Sequence, residues 1–155
     1  MHIRLTLITL AATLFTGSGI LAQTFTNCNP LNTTCSADIA LGTTYTQNFT
    51  SSAADNKIWN LTAGNVDWTS DGAEFTINGK GDSPTIQSLF YIFFGRVTTI
   101  MKAAKGTGIV SSIVLESDDL DEVDWEFIGG NSTYAETNFF GKGRFRSLPR
   151  IEHAA

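Results

Sequence analysis

Glu122, Asp124 and Glu126 occupy alternate positions in the run Leu120-Asp121-Glu122-Val123-Asp124-Trp125-Glu126-Phe127-Ile128-Gly129-Gly130. Strict alternation predicts a β-strand with the three carboxylates on one face and Val123, Trp125 and Phe127 on the other. The apolar face is expected to pack into a core. The carboxylates repel one another, so at least one pKa is expected to rise. Four residues of strand separate the Cα atoms of Glu122 and Glu126 by roughly 13 Å. Side chains reaching inward by about 3.5–4 Å leave the carboxyls roughly 5–6 Å apart, near the ~5–5.5 Å of retaining glycosidases and below the ~6.5–9.5 Å of inverting ones. In that chemistry Glu122 is the nucleophile and Glu126 the general acid/base. Asp124 hydrogen-bonds one Glu and relays charge between them.

Two plainer readings compete. Acidic runs are usually solvated faces. Ser117-Asp118-Asp119-Leu120-Asp121 is acidic enough for a calcium loop, but it lacks the Gly and the closing Glu of an EF-hand. The sequence therefore calls for no metal and no cofactor.

The elements that must position these carboxylates read as strands and turns from Thr43 onward. Lys57 to Ala63 and Ala73 to Asn78 are expected as short strands, with Ser70-Asp71-Gly72 as a turn before the second. Phe90 to Phe94 reads as a dense apolar strand, and Arg96 to Ala103 as an alternating one. Lys105-Gly106-Thr107-Gly108 is a turn before a strand over Ile109 to Glu116. After the acidic strand come a Gly129-Gly130-Asn131 turn and a strand from Tyr134 to Phe140. Phe90, Phe93, Phe94, Trp125 and Phe127 are expected in the core. Trp59, Trp68 and Tyr91 are candidates to stack on sugar rings. Closely spaced strands without helical periodicity predict an all-β fold, an antiparallel β-sandwich.

Asp-Glu-Val-Asp-Trp-Glu-Phe resembles the E-x-D-x-E signature of glycoside hydrolase family 16. Gly108-Ile109-Val110-Ser111-Ser112-Ile113-Val114-Leu115-Glu116-Ser117-Asp118-Asp119 before it and Thr137-Asn138-Phe139-Phe140-Gly141-Lys142-Gly143 after it narrow the likeness. Together they resemble the fungal Crh-type chitin–glucan transglycosylases. The resemblance implies a concanavalin-like jelly roll with a concave, sugar-binding face. It implies a secreted cell-wall enzyme that cleaves chitin and transfers it to β-glucan. A plain endo-hydrolase of chitin or β-glucan, or an inactive truncated carbohydrate-binding fragment, is the alternative. Asn138 and Lys142 are expected to reach the donor cleft, against the equally weighted reading that they serve the sheet and its turn. Phe139 stands where relatives commonly carry Tyr.

Residues 1–22 are read as a signal peptide. His2 and Arg4 form a basic start, Leu5 to Phe15 is an apolar stretch too short to span a bilayer, and Leu21-Ala22 precedes a plausible cleavage site. No later apolar segment is long enough to cross a membrane. Secretion gives Cys28 and Cys35 an oxidising compartment in which to pair, and the resemblance implies the same pair. A metal or redox role for them is weak, since the spacing is not C-x-x-C. Secretion also gives meaning to the glycosylation sequons at Asn32, Asn48, Asn60 and Asn131. Some are expected to be occupied, on turns or exposed strand edges. The net charge of −5 argues against nucleic acid, whose binders present basic patches. With charged residues at only 16%, the composition suits a β-rich extracellular domain beside neutral polysaccharide.

The resemblance covers residues 23–143, read as the N-terminal part of a family 16 jelly roll. Residues 144–155 read as a divergent tail without alternation, in which Arg144, Arg146 and Arg150 break any core pattern and Pro149 stops a central strand. The jelly roll is therefore expected to be incomplete in this chain, and the chain as written to be inactive, because its glutamates lack a complete supporting shell.

Overall fold

The structure is a computed structural model that describes residues 26–50, 57–131, 133–142, 144–145 and 151–154. The expected signal peptide over 1–22 and the expected boundary at Gly143 lie outside the described residues. The described elements are all strands: β1 Trp59–Ala63, β2 Val66–Thr69, β3 Gly72–Phe75, β4 Thr85–Ser88, β5 Val110–Glu116, β6 Glu122–Ile128, β7 Tyr134–Gly141, β8 Arg144–Phe145 and β9 Ile151–Ala154. Every strand pair is antiparallel. The chain divides into two compact units, one of residues 36–100 and one made of the remainder.

The 36–100 unit carries two short ladders, β1 with β4 and β2 with β3. Ser70 and Asp71 form the two-residue turn between β2 and β3, where the Asp71 amide donates to Thr69 Oγ1 at 3.2 Å. Its interior is aromatic. Phe49 stacks on Trp68 at 5.8 Å, while Trp59 meets Phe49 and Phe90 edge-on. The Trp59 indole N–H donates to Tyr45 Oη at 3.0 Å, which satisfies a polar group that burial would otherwise penalise. Trp59 and Trp68, expected as possible sugar platforms, therefore pack against neighbours.

Two expected strands of this region are corrected. Neither 90–94 nor 96–103 forms a strand. Tyr91 makes an isolated bridge with Ala40, its N–H donating to Ile39 O at 2.8 Å. Phe93 and Phe94, expected in the core, are 99% and 86% exposed, and Ile100 is 97% exposed. A strand needs a partner for its backbone groups as well as a suitable side-chain pattern, and among the described residues no strand runs beside this stretch. The sequence also passed over β2 and β4, which are four residues each.

The second unit holds the five-stranded sheet, ordered β5-β6-β7-β8, with β9 also pairing β7. Its centre is β6. All seven of its residues pair with β5, from Val110↔Ile128 to Glu116↔Glu122. On the other side β7 pairs from Glu122↔Phe140 to Glu126↔Glu136. Ser117 closes the β5–β6 connection: its amide donates to Asp121 O at 2.9 Å, and its Oγ accepts from the Asp121 amide at 3.1 Å. Leu120 sits there at φ 67°, a left-handed conformation that costs a bulky residue energy. At the other end, an added Cβ on Gly129 would collide with the carbonyls of Gly106, Ala104 and Ile109, so only glycine allows the 105–108 turn to close on the β6–β7 hairpin. The tail differs from expectation in one respect. The backbone at 144–145 and 151–154 forms β8 and β9 and pairs with β7. Pairing at a sheet edge does not require the alternation that a buried central strand would show.

Cys28 and Cys35 form a disulfide with a Cα–Cα distance of 5.9 Å. The four sequon asparagines are exposed. Asn32 lies in a turn and Asn60 on β1; Asn48 and Asn131 each accept from a threonine hydroxyl two residues on, at 2.7 and 2.8 Å.

Candidate active site

Glu122, Asp124 and Glu126 fall on one face of β6 as alternation predicts, because the strand runs without a bulge from Glu122 to Ile128. Register then adds neighbours that no local pattern contains. Glu122 lies between Glu116 and Phe140, Asp124 between Val114 and Asn138, and Glu126 between Ser112 and Glu136. Directly opposed residues point to the same side of a sheet. The face therefore carries Glu116 and Glu136 as well as the three carboxylates of β6. Sequence reasoning missed both. Their signal was parity within β5 and β7, but only the register brings them to the site. At the β9 edge, Glu152 takes the register position beside Glu136.

The burial is the reverse of that expected for β6. Asp124 and Glu122 are 5% and 9% exposed, whereas Val123 on the opposite face is 42% exposed. The carboxylates, rather than the apolar side chains, lie deepest in this strand. Burial is the main reason that the Glu122 carboxyl is pushed up to about 8; its hydrogen bond with Asp124 and the nearby charges of Asp124, Glu116 and Glu126 push the same way. Burial also raises Asp124, while its hydrogen bond with Glu122 opposes the rise. These opposite signs describe a protonated Glu122 donating to an Asp124 carboxylate. Two buried carboxyls in contact share a proton more readily than they both ionise. The other oxygens, Glu122 Oε2 and Asp124 Oδ1, are buried without a hydrogen-bond partner. Glu126 is half-buried.

Asn138 stands opposite Asp124 on the acidic face, and its Oδ1 accepts from the Phe139 amide at 2.9 Å. Lys142 lies beyond the end of β7, exposed, at φ 55°. Its backbone amide donates to Asp121 Oδ1 at 2.9 Å, so the residue ties the end of β7 to the entrance of β6. The structure thus brings Asn138 to the carboxylates and gives Lys142 a place in the turn. Among the described residues no group of three or more His, Cys, Asp or Glu side chains is arranged to hold a metal ion. Nor does any described helix have the length and apolar character to cross a membrane.

Comparison with known proteins places the chain in a family. The profile of Glycosyl hydrolases family 16 matches residues 53–154. Crh-like protein 2 of Botryotinia fuckeliana is 60% identical over 144 residues, covering 93% of this chain and 32% of that protein. Crh-like protein 3 of Aspergillus fumigatus is 55% identical over 133 residues, covering 84% and 36%. Among solved structures, an apo Crh5 transglycosylase superposes with a TM-score of 0.71 at 51% identity, covering 82% of this chain and 53% of that one. A Crh5 transglycosylase in complex with NAG gives 0.69 at 56% identity, covering 75% and 47%. The chain spans about a third of the length of these curated relatives and about half of the solved chains. The shared architecture is an antiparallel jelly roll, present here in part.

Proposed function

We propose, for a chain that belongs to glycosyl hydrolases family 16, that the acidic face of β6 is the catalytic centre of a retaining transglycosylase acting on cell-wall polysaccharide. The observation that carries this reading is the line of Glu122, Asp124 and Glu126 on one face, two of them the most buried charged side chains described. Burying carboxylates costs stability, and a reaction that needs alternating protonation states gives that cost a use.

The proton shared by Glu122 and Asp124 organises the chemistry. When it rests on Asp124, Glu122 is the anion. A Glu122 oxygen then bonds to the anomeric carbon of the donor sugar as the glycosidic C–O bond breaks, and Glu126 delivers its proton to the leaving oxygen. In the second step Glu126 takes the proton of an incoming hydroxyl, whose oxygen bonds to the anomeric carbon as the ester to Glu122 breaks. A sugar hydroxyl gives transfer; water gives hydrolysis. Asp124 holds its proton toward Glu122 and tempers the charge that returns there. Asn138, beside Asp124, contacts the donor, and Lys142 orders the end of β7 next to the cleft.

Chitin is the proposed donor and β-glucan the proposed acceptor. A relative solved with NAG supports the donor class. The protein is proposed to act outside the cell, at the wall, with some of its exposed sequons glycosylated. Chitin oligosaccharide incubated with labelled β-1,3-glucan oligosaccharide tests the whole reading. In a protein carrying this segment at the length of its relatives, labelled hybrid product is expected. Shortened chitin alone would replace transferase with hydrolase, and retention without products would leave only a binding module.

A further inference from the structure

We propose that Tyr134 is a sugar-stacking residue that extends the acidic face by one subsite beyond Glu126, and that its ligand is a pyranose ring of the polysaccharide. The inference rests on the reading of that face given above and adds to it a residue outside the E-x-D-x-E line.

Tyr134, Glu136 and Asn138 alternate on β7 and so share a face. Glu136 is directly opposite Glu126, which makes Tyr134 the diagonal neighbour of Glu126, roughly 7–8 Å away and within reach of an aromatic side chain. Carried on by two residues, the same register sets Tyr134 opposite Ile128, which in turn faces Val110. The row next to the carboxylates is therefore apolar. It is also open: Tyr134 is 42% and Val110 44% exposed. Tyr134 is the exposed member of a strand whose other residues are half-buried.

An apolar row beside a polar one matches the two sides of a pyranose. Its flat C–H surface lies on an aromatic ring, while its rim hydroxyls reach hydrogen-bonding groups. The side of the cleft follows from the roles of the two glutamates. Glu126 handles the oxygen of the leaving or arriving sugar, and Glu122 attacks from the other side of the anomeric carbon. A ring beyond Glu126, away from Glu122, thus meets the leaving or acceptor sugar.

Titration of the chain with chitin hexasaccharide, followed by calorimetry and by shifts of tyrosine ring protons, tests this. Tyr134→Ala should weaken binding about tenfold, the loss expected when a ring that covers one side of a sugar is removed from the contact. Tyr134→Phe should bind as wild type does. Tyr134→Thr, which keeps strand propensity, should lose as much as Tyr134→Ala. Phe93→Ala, at a fully exposed ring elsewhere in the chain, should change nothing. Wild-type affinity in both Tyr134→Ala and Tyr134→Thr overturns the proposal. So does equal loss in Tyr134→Phe, which would assign the contact to the hydroxyl, and so does the absence of wild-type binding. Failure of the catalytic reading is separable: lost affinity in Tyr134→Ala alongside normal turnover in Glu122→Gln, the latter measured in a protein carrying this segment at the length of its relatives, would keep the subsite and sink the mechanism.

Discussion

Two regions read as strands from their side chains, β6 and the region 90–103 with its expected strands over 90–94 and 96–103, and only β6 is a strand. In β6 all seven residues pair with β5, and five of them also pair with β7. Residues 90–101 make one bridge, at Tyr91, and leave Phe93, Phe94 and Ile100 almost fully exposed. Alternation tells which side chains share a face; pairing decides whether there is a sheet for that face to belong to. β6 carries a second lesson. Its polar face is buried and Val123 is exposed, so the segment with the firmest pairing is also the one that departs most from an apolar interior. Well-paired backbone can hold buried carboxylates in place, as a site of acid/base chemistry requires.

The largest effect that sharpens this contrast is on catalysis. In a protein carrying this segment at the length of its relatives, Glu122→Gln should reduce turnover of chitin oligosaccharide by at least about 10³-fold, since the proposed nucleophile is lost while the fold remains. Product analysis by mass spectrometry would check it. Turnover at the normal rate would remove Glu122 from the mechanism and return β6 to a merely structural role.

A smaller effect follows from the raised carboxyl of Glu122, and its sign is fixed. The folded value of about 8 lies above the ordinary 4.5. The folded state therefore holds a proton that the unfolded chain releases. This contribution to stability is fully present below about 4.5 and is lost as pH rises to about 8, with a slope of at most about 1.4 kcal/mol per pH unit. Urea midpoints measured across that window should fall with rising pH in the wild type. They should stay nearly level in Glu122→Gln, which is expected to be the more stable protein at pH 8. Parallel curves for the two would show that Glu122 is not the group responsible.

The line of Glu122, Asp124 and Glu126 was legible because strand parity is local, and the β5, β6 and β7 positions were legible for the same reason. Glu116, Glu136 and Tyr134 were not, because register across β5, β6 and β7 depends on residues far apart in the chain. The strands at 144–145 and 151–154 escaped because an edge strand needs no buried face. The opposite error came from treating apolar density at 90–94 as burial and alternation at 96–103 as a strand, although a stretch without a paired neighbour has nowhere to bury a face.

Trp125 separates the two faces of β6. It lies between Ile113 and Thr137 on the face opposite the carboxylates and is half-buried. Trp125→Ala should cost about 2 kcal/mol, below the 3–5 kcal/mol typical of a fully buried aromatic. A denaturation curve at pH 5, where Glu122 stays protonated, isolates this loss from the carboxylate effect. A cost above about 4 kcal/mol would mean that this face is a core after all.

The smallest effect belongs to the other stretch. Phe93 is 99% exposed, and its ring meets that of Phe94 edge-on at 5.8 Å. Removing that ring returns almost no apolar area to water, so the transfer term is close to nil. The edge-on pair loses at most ~1 kcal/mol, and two rings that both stand in solvent recover less than that. Phe93→Ser should therefore change stability by no more than about 0.5 kcal/mol, within the range of ordinary surface substitutions. Its solubility should rise, because an exposed aromatic pair favours association. Chemical denaturation of the two proteins side by side, with light scattering for association, checks both statements. A loss near that of Trp125→Ala would show that residues 90–101 are packed in solution, and the contrast with β6 would then rest on pairing alone.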